Sequence, residues 1–171
     1  MPAPAPDVST SRFSAAGFSF QPAAAEDAAT LSGFGSTPGT HYLCFGSDAY
    51  LHGAGARPDG GSRETIAEVV AKTHDGAIAG VARLALPPED GGLPELTVAV
   101  QAAYERLGLL APLLAAIVAE ARRRGVERIT TCVECHRCNP AEDLSEAGLR
   151  AVSWLGAGGV TELVLAIEQA G

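Results

Sequence analysis

Residues 94–129, PELTVAVQAAYERLGLLAPLLAAIVAEARRRGVERI, hold two periodicities separated by a short polar loop. Glu95 to Val100 carries β-branched residues at Thr97, Val98 and Val100, which suits a half-buried strand. Beyond the loop, Leu110, Leu113, Leu114, Ile117, Val118 and Ala121 recur at helical spacing and form one apolar stripe. Pro112 falls in the first turn, where a missing N–H is tolerated. Arg122, Arg123 and Arg124 fall in the last turn, where cations complement the helix dipole, and Gly125 can close the helix. A strand feeding a loop and then a helix N-terminus is a ready anion site, because free backbone N–H groups point at the loop.

The rest of the chain supports one globular unit. Its 171 residues suffice for a single domain with a sizeable core. Apolar residues make up 47% and charged residues 19%, which excludes a disordered chain. The net charge of −8 argues against a broad nucleic-acid surface. The opening MPAPAPDVSTS lacks the basic and apolar regions of a signal peptide, and Leu107–Ala119 is too short to span a bilayer. A soluble cytoplasmic protein with no membrane partner is expected, its four cysteines present as thiols.

Residues 1–15 read as a flexible Pro/Ala-rich tail, and residues 16–171 as one domain. Phe18–Phe20 can start a strand, and Pro22 opens a short helix through AAAEDAATL. Residues 32–63 are rich in Gly, Ser and Pro and suggest a loose segment, with HYLCF (41–45) as an apolar island. Ile66–Lys72 and Ala77–Leu86 read as strands joined by Asp75–Gly76, a strong hairpin signal. A strand at Arg128–Glu134, a helix at about 145–155, a glycine break at 156–159 and a last strand at Thr161–Ile167 complete the order. Trp154 on that last helix is expected to anchor the core.

Val100–Gln101–Ala102–Ala103–Tyr104–Glu105–Arg106–Leu107–Gly108–Leu109–Leu110 resembles the acyl-CoA-binding segment of GNAT N-acetyltransferases. In that family a strand ending in Val precedes a loop of the form Q/R-x-x-G-x-G/A, whose amides hold the CoA pyrophosphate. This loop reads Glu105-x-x-Gly108-x-Leu110 and keeps one of the three signature positions. The resemblance covers roughly residues 18–168 and is strongest over 66–129. HYLCFGS (41–47) and GAIAGVARLAL (76–86) are similar to the acetyltransferase domain of bacterial protein-lysine acetyltransferases.

The resemblance implies an α/β (α+β) fold with a mixed, mostly antiparallel central sheet flanked by helices. It implies acetyl-CoA as co-substrate, a primary amine as acceptor (a protein lysine or a small amine), and pairing of copies through edge strands as one expected assembly. Glu95 matches the position of the subgroup's general base; its plainer reading is a solvated strand-end residue. Val98 and Val100 would offer backbone groups to the pantetheine arm and the acetyl carbonyl, and are otherwise ordinary core residues. Gly108 would lie against the phosphates, or simply serve a turn. Arg106 would reach a CoA phosphate, or remain a solvated loop charge. Asn139 matches an Asn that hydrogen-bonds the CoA arm, although Asn-Pro also starts turns. The position of the family's tyrosine proton donor falls on Val152.

Cys132–Val133–Glu134–Cys135–His136–Arg137–Cys138 is the most unusual local feature. Its CxxC spacing suits metal binding or a redox pair. In a strand, however, Cys132 and Cys135 point to opposite faces and cannot share a metal, so no metal is expected. The plainer reading is a small buried Cys132 with two cysteines at the strand end. The leading expectation is therefore an acetyl-CoA-dependent N-acetyltransferase using direct attack and Glu95 as base. The alternatives are a catalytically degenerate binding module of the same fold, or a cysteine-based sensor.

Overall fold

The Asp75–Gly76 turn folds two apolar segments onto each other, with Gly76 at φ 87° supplying the left-handed residue the turn needs. A computed structural model describes residues 17–34, 41–46, 64–87, 90–134 and 140–169. In it the hairpin strands are β3 (Thr65–Thr73) and β4 (Ile78–Ala85), paired antiparallel. Strand β1 (Phe18–Pro22) lies antiparallel on the outer edge of β3, and β5 (Glu95–Gln101) lies antiparallel on β4. Further strands are β2 (His41–Phe45), β6 (Arg128–Glu134), β7 (Leu149–Ala157) and β8 (Val160–Ile167). They form one eight-stranded sheet in the order β1-β3-β4-β5-β6-β8-β7, with β2 also paired to β5. Among the described residues the helices are α1 (Ala28–Gly33), preceded by a 3-10 turn at Ala25–Asp27, then α2 (Leu110–Arg123) and α3 (Pro140–Glu146). This is the mixed, mostly antiparallel sheet with flanking helices that the sequence leads one to expect.

The two faces of the sheet follow from strand alternation. Leu84, Leu96, Val98 and Val100 face the apolar stripe of α2, where Leu113, Leu114, Ile117 and Val118 are fully buried. Val70, Ile78, Val81 and Ala99 face the opposite way and pack with Leu31 and Phe34 around α1. At the far end of α2, Gly125 adopts φ 72°, and the Val126 N–H donates to the Ala121 carbonyl, closing the helix as its sequence suggests.

One buried ion pair ties the α1 side to the hairpin. The Asp27 carboxylate accepts from Lys72 Nζ at 2.7 Å and from the Ala24 backbone N–H at 2.8 Å. The Lys72 hydrogen bond, followed by that of Ala24, holds the Asp27 carboxyl below the usual carboxylate range. The stability this supplies is complete above the ordinary Asp pKa of about 3.9 and is lost as pH falls through the lowered folded value. Asp27→Ala leaves Lys72 nearly buried and unpaired, so we expect a loss of about 2–3 kcal/mol by urea denaturation at neutral pH. The difference from the parent should shrink under strongly acidic conditions.

The C-terminal third departs from the sequence reading. A helix over about 145–155 is expected there, but α3 stops at Glu146, Gly148 turns at φ 81°, and residues 149–157 form β7. The reason is the turn that follows. Gly158 and Gly159, at φ 60° and 82°, form a two-residue hairpin that pairs β7 with β8. Trp154 consequently sits on the edge strand at 74% exposure instead of in the core. Val152 is likewise an exposed β7 residue, so the helical count that placed a tyrosine position there does not apply. HYLCF also departs from a loose loop, since it forms β2.

Candidate active site

Strands β5 and β6 run parallel but share a register only at Glu95 and Thr130. The Thr130 N–H donates to the Pro94 carbonyl at 2.9 Å. One step further, the buried Thr131 hydroxyl, not a backbone N–H, reaches the Leu96 carbonyl at 2.8 Å. Past that point the strands diverge into a fork whose closed end holds Glu95. Backbone polar groups alternate sides along a strand. Pro94 and Leu96 both present their carbonyls to β6, so Val98 and Val100 present theirs to the same side, into the fork. Their side chains lie in the core beneath.

The open end of the fork leads to the loop and to α2. Gln101 ends β5, Ala102–Tyr104 make a 3-10 turn, and Tyr104 meets Phe18 edge-on with ring centroids 5.7 Å apart. Glu105, Arg106, Leu107 and Gly108 are exposed, and Gly108 adopts φ 72° with open space around it. Helix α2 then starts with Leu109 as N-cap and no side-chain capping bond, so its first amides have no side-chain acceptor. Leu110 packs half-buried against the core, away from the solvent front of the loop. Seven strand residues rise about 3.3 Å each, so the carboxylate end and the amide end of β5 stand ~20 Å apart.

Cys132 borders the fork on β6. Burial first, then the negative charges of Glu95 and Glu162, push its thiol above the ordinary cysteine range. This is the opposite of what a redox-active thiolate needs. We expect Cys132 to be alkylated by iodoacetamide far more slowly than a free cysteine at pH 8, with the rate climbing only in stronger base, as read by peptide mass spectrometry. Cys135 and Cys138 lie outside the described residues, and among those described no group of three His, Cys, Asp or Glu side chains could hold a metal. No helix among them is long and apolar enough to cross a membrane.

Of the residues singled out in the sequence, Glu95, Val98 and Val100 all lie on β5, the strand that forms one arm of the fork, while Arg106 and Gly108 lie in the loop at its open end. Asn139 falls outside the described residues. Two features of the fork escape a reading of motifs. Thr131 ties the fork shut at its base, and Gly46, which follows β2, donates its N–H to the Cys132 carbonyl at 2.8 Å. The short apolar run Tyr42–Phe45 followed by a glycine is the local signal for the latter.

The chain's residues 46–144 match the family model of the "Acetyltransferase (GNAT) family". No curated protein matches the sequence. Among solved structures, a GCN5-related N-acetyltransferase from Kribbella flavida is similar, with 18% identity, a TM-score of 0.59, and coverage of 90% of this chain and 98% of that one. The yncA protein of Salmonella typhimurium, solved with its cofactor acetyl-CoA, has the same identity and TM-score, with 90% and 96% coverage. The GNAT domain of S. lividans PAT is 21% identical with a TM-score of 0.55, covering 86% and 89%. These likenesses are of fold, whereas the family model spans more than half of the sequence; the chain belongs to the GNAT acetyltransferase family.

Proposed function

We propose that the protein transfers an acetyl group from acetyl-CoA to a primary amine, a protein lysine or a small amine, in the cytoplasm. The observation that carries this reading is the fork: a carboxylate at its closed end, strand amides and carbonyls turned into it, and an uncapped helix N-terminus at its open end. The pantetheine arm carries amides of its own and can pair with Val98 and Val100 as an added strand would. The pyrophosphate would lie on the amides around Gly108 and the start of α2, with Arg106 as a nearby cation. Asn139 is assigned to the CoA arm on its sequence position alone.

The amine nitrogen attacks the acetyl carbonyl carbon, the new C–N bond forms, and the C–S bond breaks to release CoA as thiolate. Glu95 takes the proton that the ammonium must lose before its nitrogen can attack, directly or through a water, and the second N–H proton passes to solvent as the tetrahedral adduct collapses to the amide. A backbone N–H on β5 donates to the carbonyl oxygen as its negative charge develops. The leaving thiolate takes its proton from solvent. Calorimetric titration of acetyl-CoA and CoA tests the donor assignment: binding in the micromolar range is expected, and no binding at millimolar ligand would end it.

A second reading rests on a different observation. Strand β2 covers the very edge of β5 that the donor would use. A chain in which that strand never leaves is a catalytically degenerate binding module on the same fold.

A further inference from the structure

Beyond Leu96 the fork edge of β5 has lost β6 as a partner, and backbone groups left unpaired in a buried strand are costly. The chain fills the gap with its own segment. Strand β2 runs antiparallel to β5 with Tyr42 opposite Val100 and Phe45 opposite Val98. At its end the Gly46 N–H reaches across to the Cys132 carbonyl on β6. One short segment thus bridges both arms of the fork and takes up the backbone groups of Val98 and Val100.

We propose that β2 is an autoinhibitory strand, which closes the acyl-donor groove and must come off β5 before acetyl-CoA can bind. The inference rests on the donor assignment made above and adds its regulation. Two strands cannot occupy one edge, so β2 and an extended pantetheine arm exclude each other. The hold of β2 is uneven. Its register with β5 slips between Leu43 and Phe45, so the pairing is interrupted at Cys44. Phe45, 1% exposed, is the anchor, set in the same core as Val98 and Leu96.

Gly46 is the latch. It adopts φ 94°, and a Cβ added there would stand 2.7 Å from Thr97 Oγ1 and 3.1 Å from the Leu96 carbonyl oxygen. Only glycine seats the end of β2 this deeply in the fork, and any side chain at 46 disfavours the closed state. When β2 is released, the fork opens along its full length while the hairpin, β5 and α2 keep their own pairings. The apparent donor affinity is then the intrinsic affinity multiplied by the open fraction.

The test is acetyl-CoA titration into three full-length forms: parent, Gly46→Val, and the double variant Leu43→Cys/Ala99→Cys. Leu43 and Ala99 are directly opposed across β2 and β5, a Cα separation that a disulfide can bridge. Bond formation is checked by mass spectrometry, and folding by circular dichroism in every form. We expect the oxidised double variant to bind at least tenfold more weakly than its reduced form, with recovery on adding dithiothreitol. Gly46→Val should bind severalfold more tightly than the parent. Equal binding by the oxidised and reduced forms would overturn the inference and leave the donor assignment intact. No binding by any form at millimolar acetyl-CoA would instead remove the donor assignment, and the gate with it.

Discussion

Glu95→Gln lowers kcat for amine acetylation by about 10²–10⁴-fold and leaves acetyl-CoA affinity within about twofold of the parent. The glutamine keeps the size of the side chain at the closed end of the fork and removes only its ability to accept a proton. A lysine-like amine has a pKa near 10.4, so at pH 7 almost all of it is ammonium and cannot attack. The base supplies its advantage in that range. As pH rises towards 10 the free amine becomes abundant, and the deficit of the variant should narrow. A structural role for Glu95 would give a different pattern, with loss of affinity and thermal stability and no closing of the gap in alkali. Unchanged turnover in Glu95→Gln at pH 7 would rule out Glu95 as the base.

Local patterns with one solution could be read from the chain. Asp75–Gly76 between apolar segments leaves little besides a hairpin, and the stripe from Leu110 to Ala121 leaves little besides a helix on a sheet. The order of β3 to β6 followed from these, and Glu95, Val98 and Val100 fell into one strand. The C-terminal third is not decided locally, because the segment 149–155 is too short for its periodicity to separate strand from helix. Its identity was decided at a distance, by the Gly158–Gly159 turn and by pairing with β8. The fork itself was not legible. It depends on where two strands distant in sequence stop being parallel, which no local spacing encodes, and β2 enters it from a glycine-rich region that reads as loop.

Leu113→Ala should be strongly destabilising, at about 3–5 kcal/mol, a large part of the 5–15 kcal/mol typical of a domain. Leu113 is 0% exposed and lies over Gly80 of β4, where a glycine lets the helix approach the sheet. A Cβ built on Gly80 would stand 2.9 Å from Leu113 Cδ1 and 3.2 Å from the Ala99 carbonyl oxygen. Gly80→Ala alone therefore overfills the site and should itself be destabilising by about 1–3 kcal/mol. Together the two changes should be less harmful than their sum, because the added methyl enters the cavity that the shortened side chain leaves. A double-mutant cycle by urea denaturation should give a coupling of about 1–2 kcal/mol in that direction. The same contact bears on function, since α2 carries the amides assigned to the pyrophosphate. Gly80→Ala, by displacing Leu113, should weaken CoA binding, and adding Leu113→Ala should restore part of it. Strict additivity of the two changes would mean that α2 does not rest on Gly80 through Leu113.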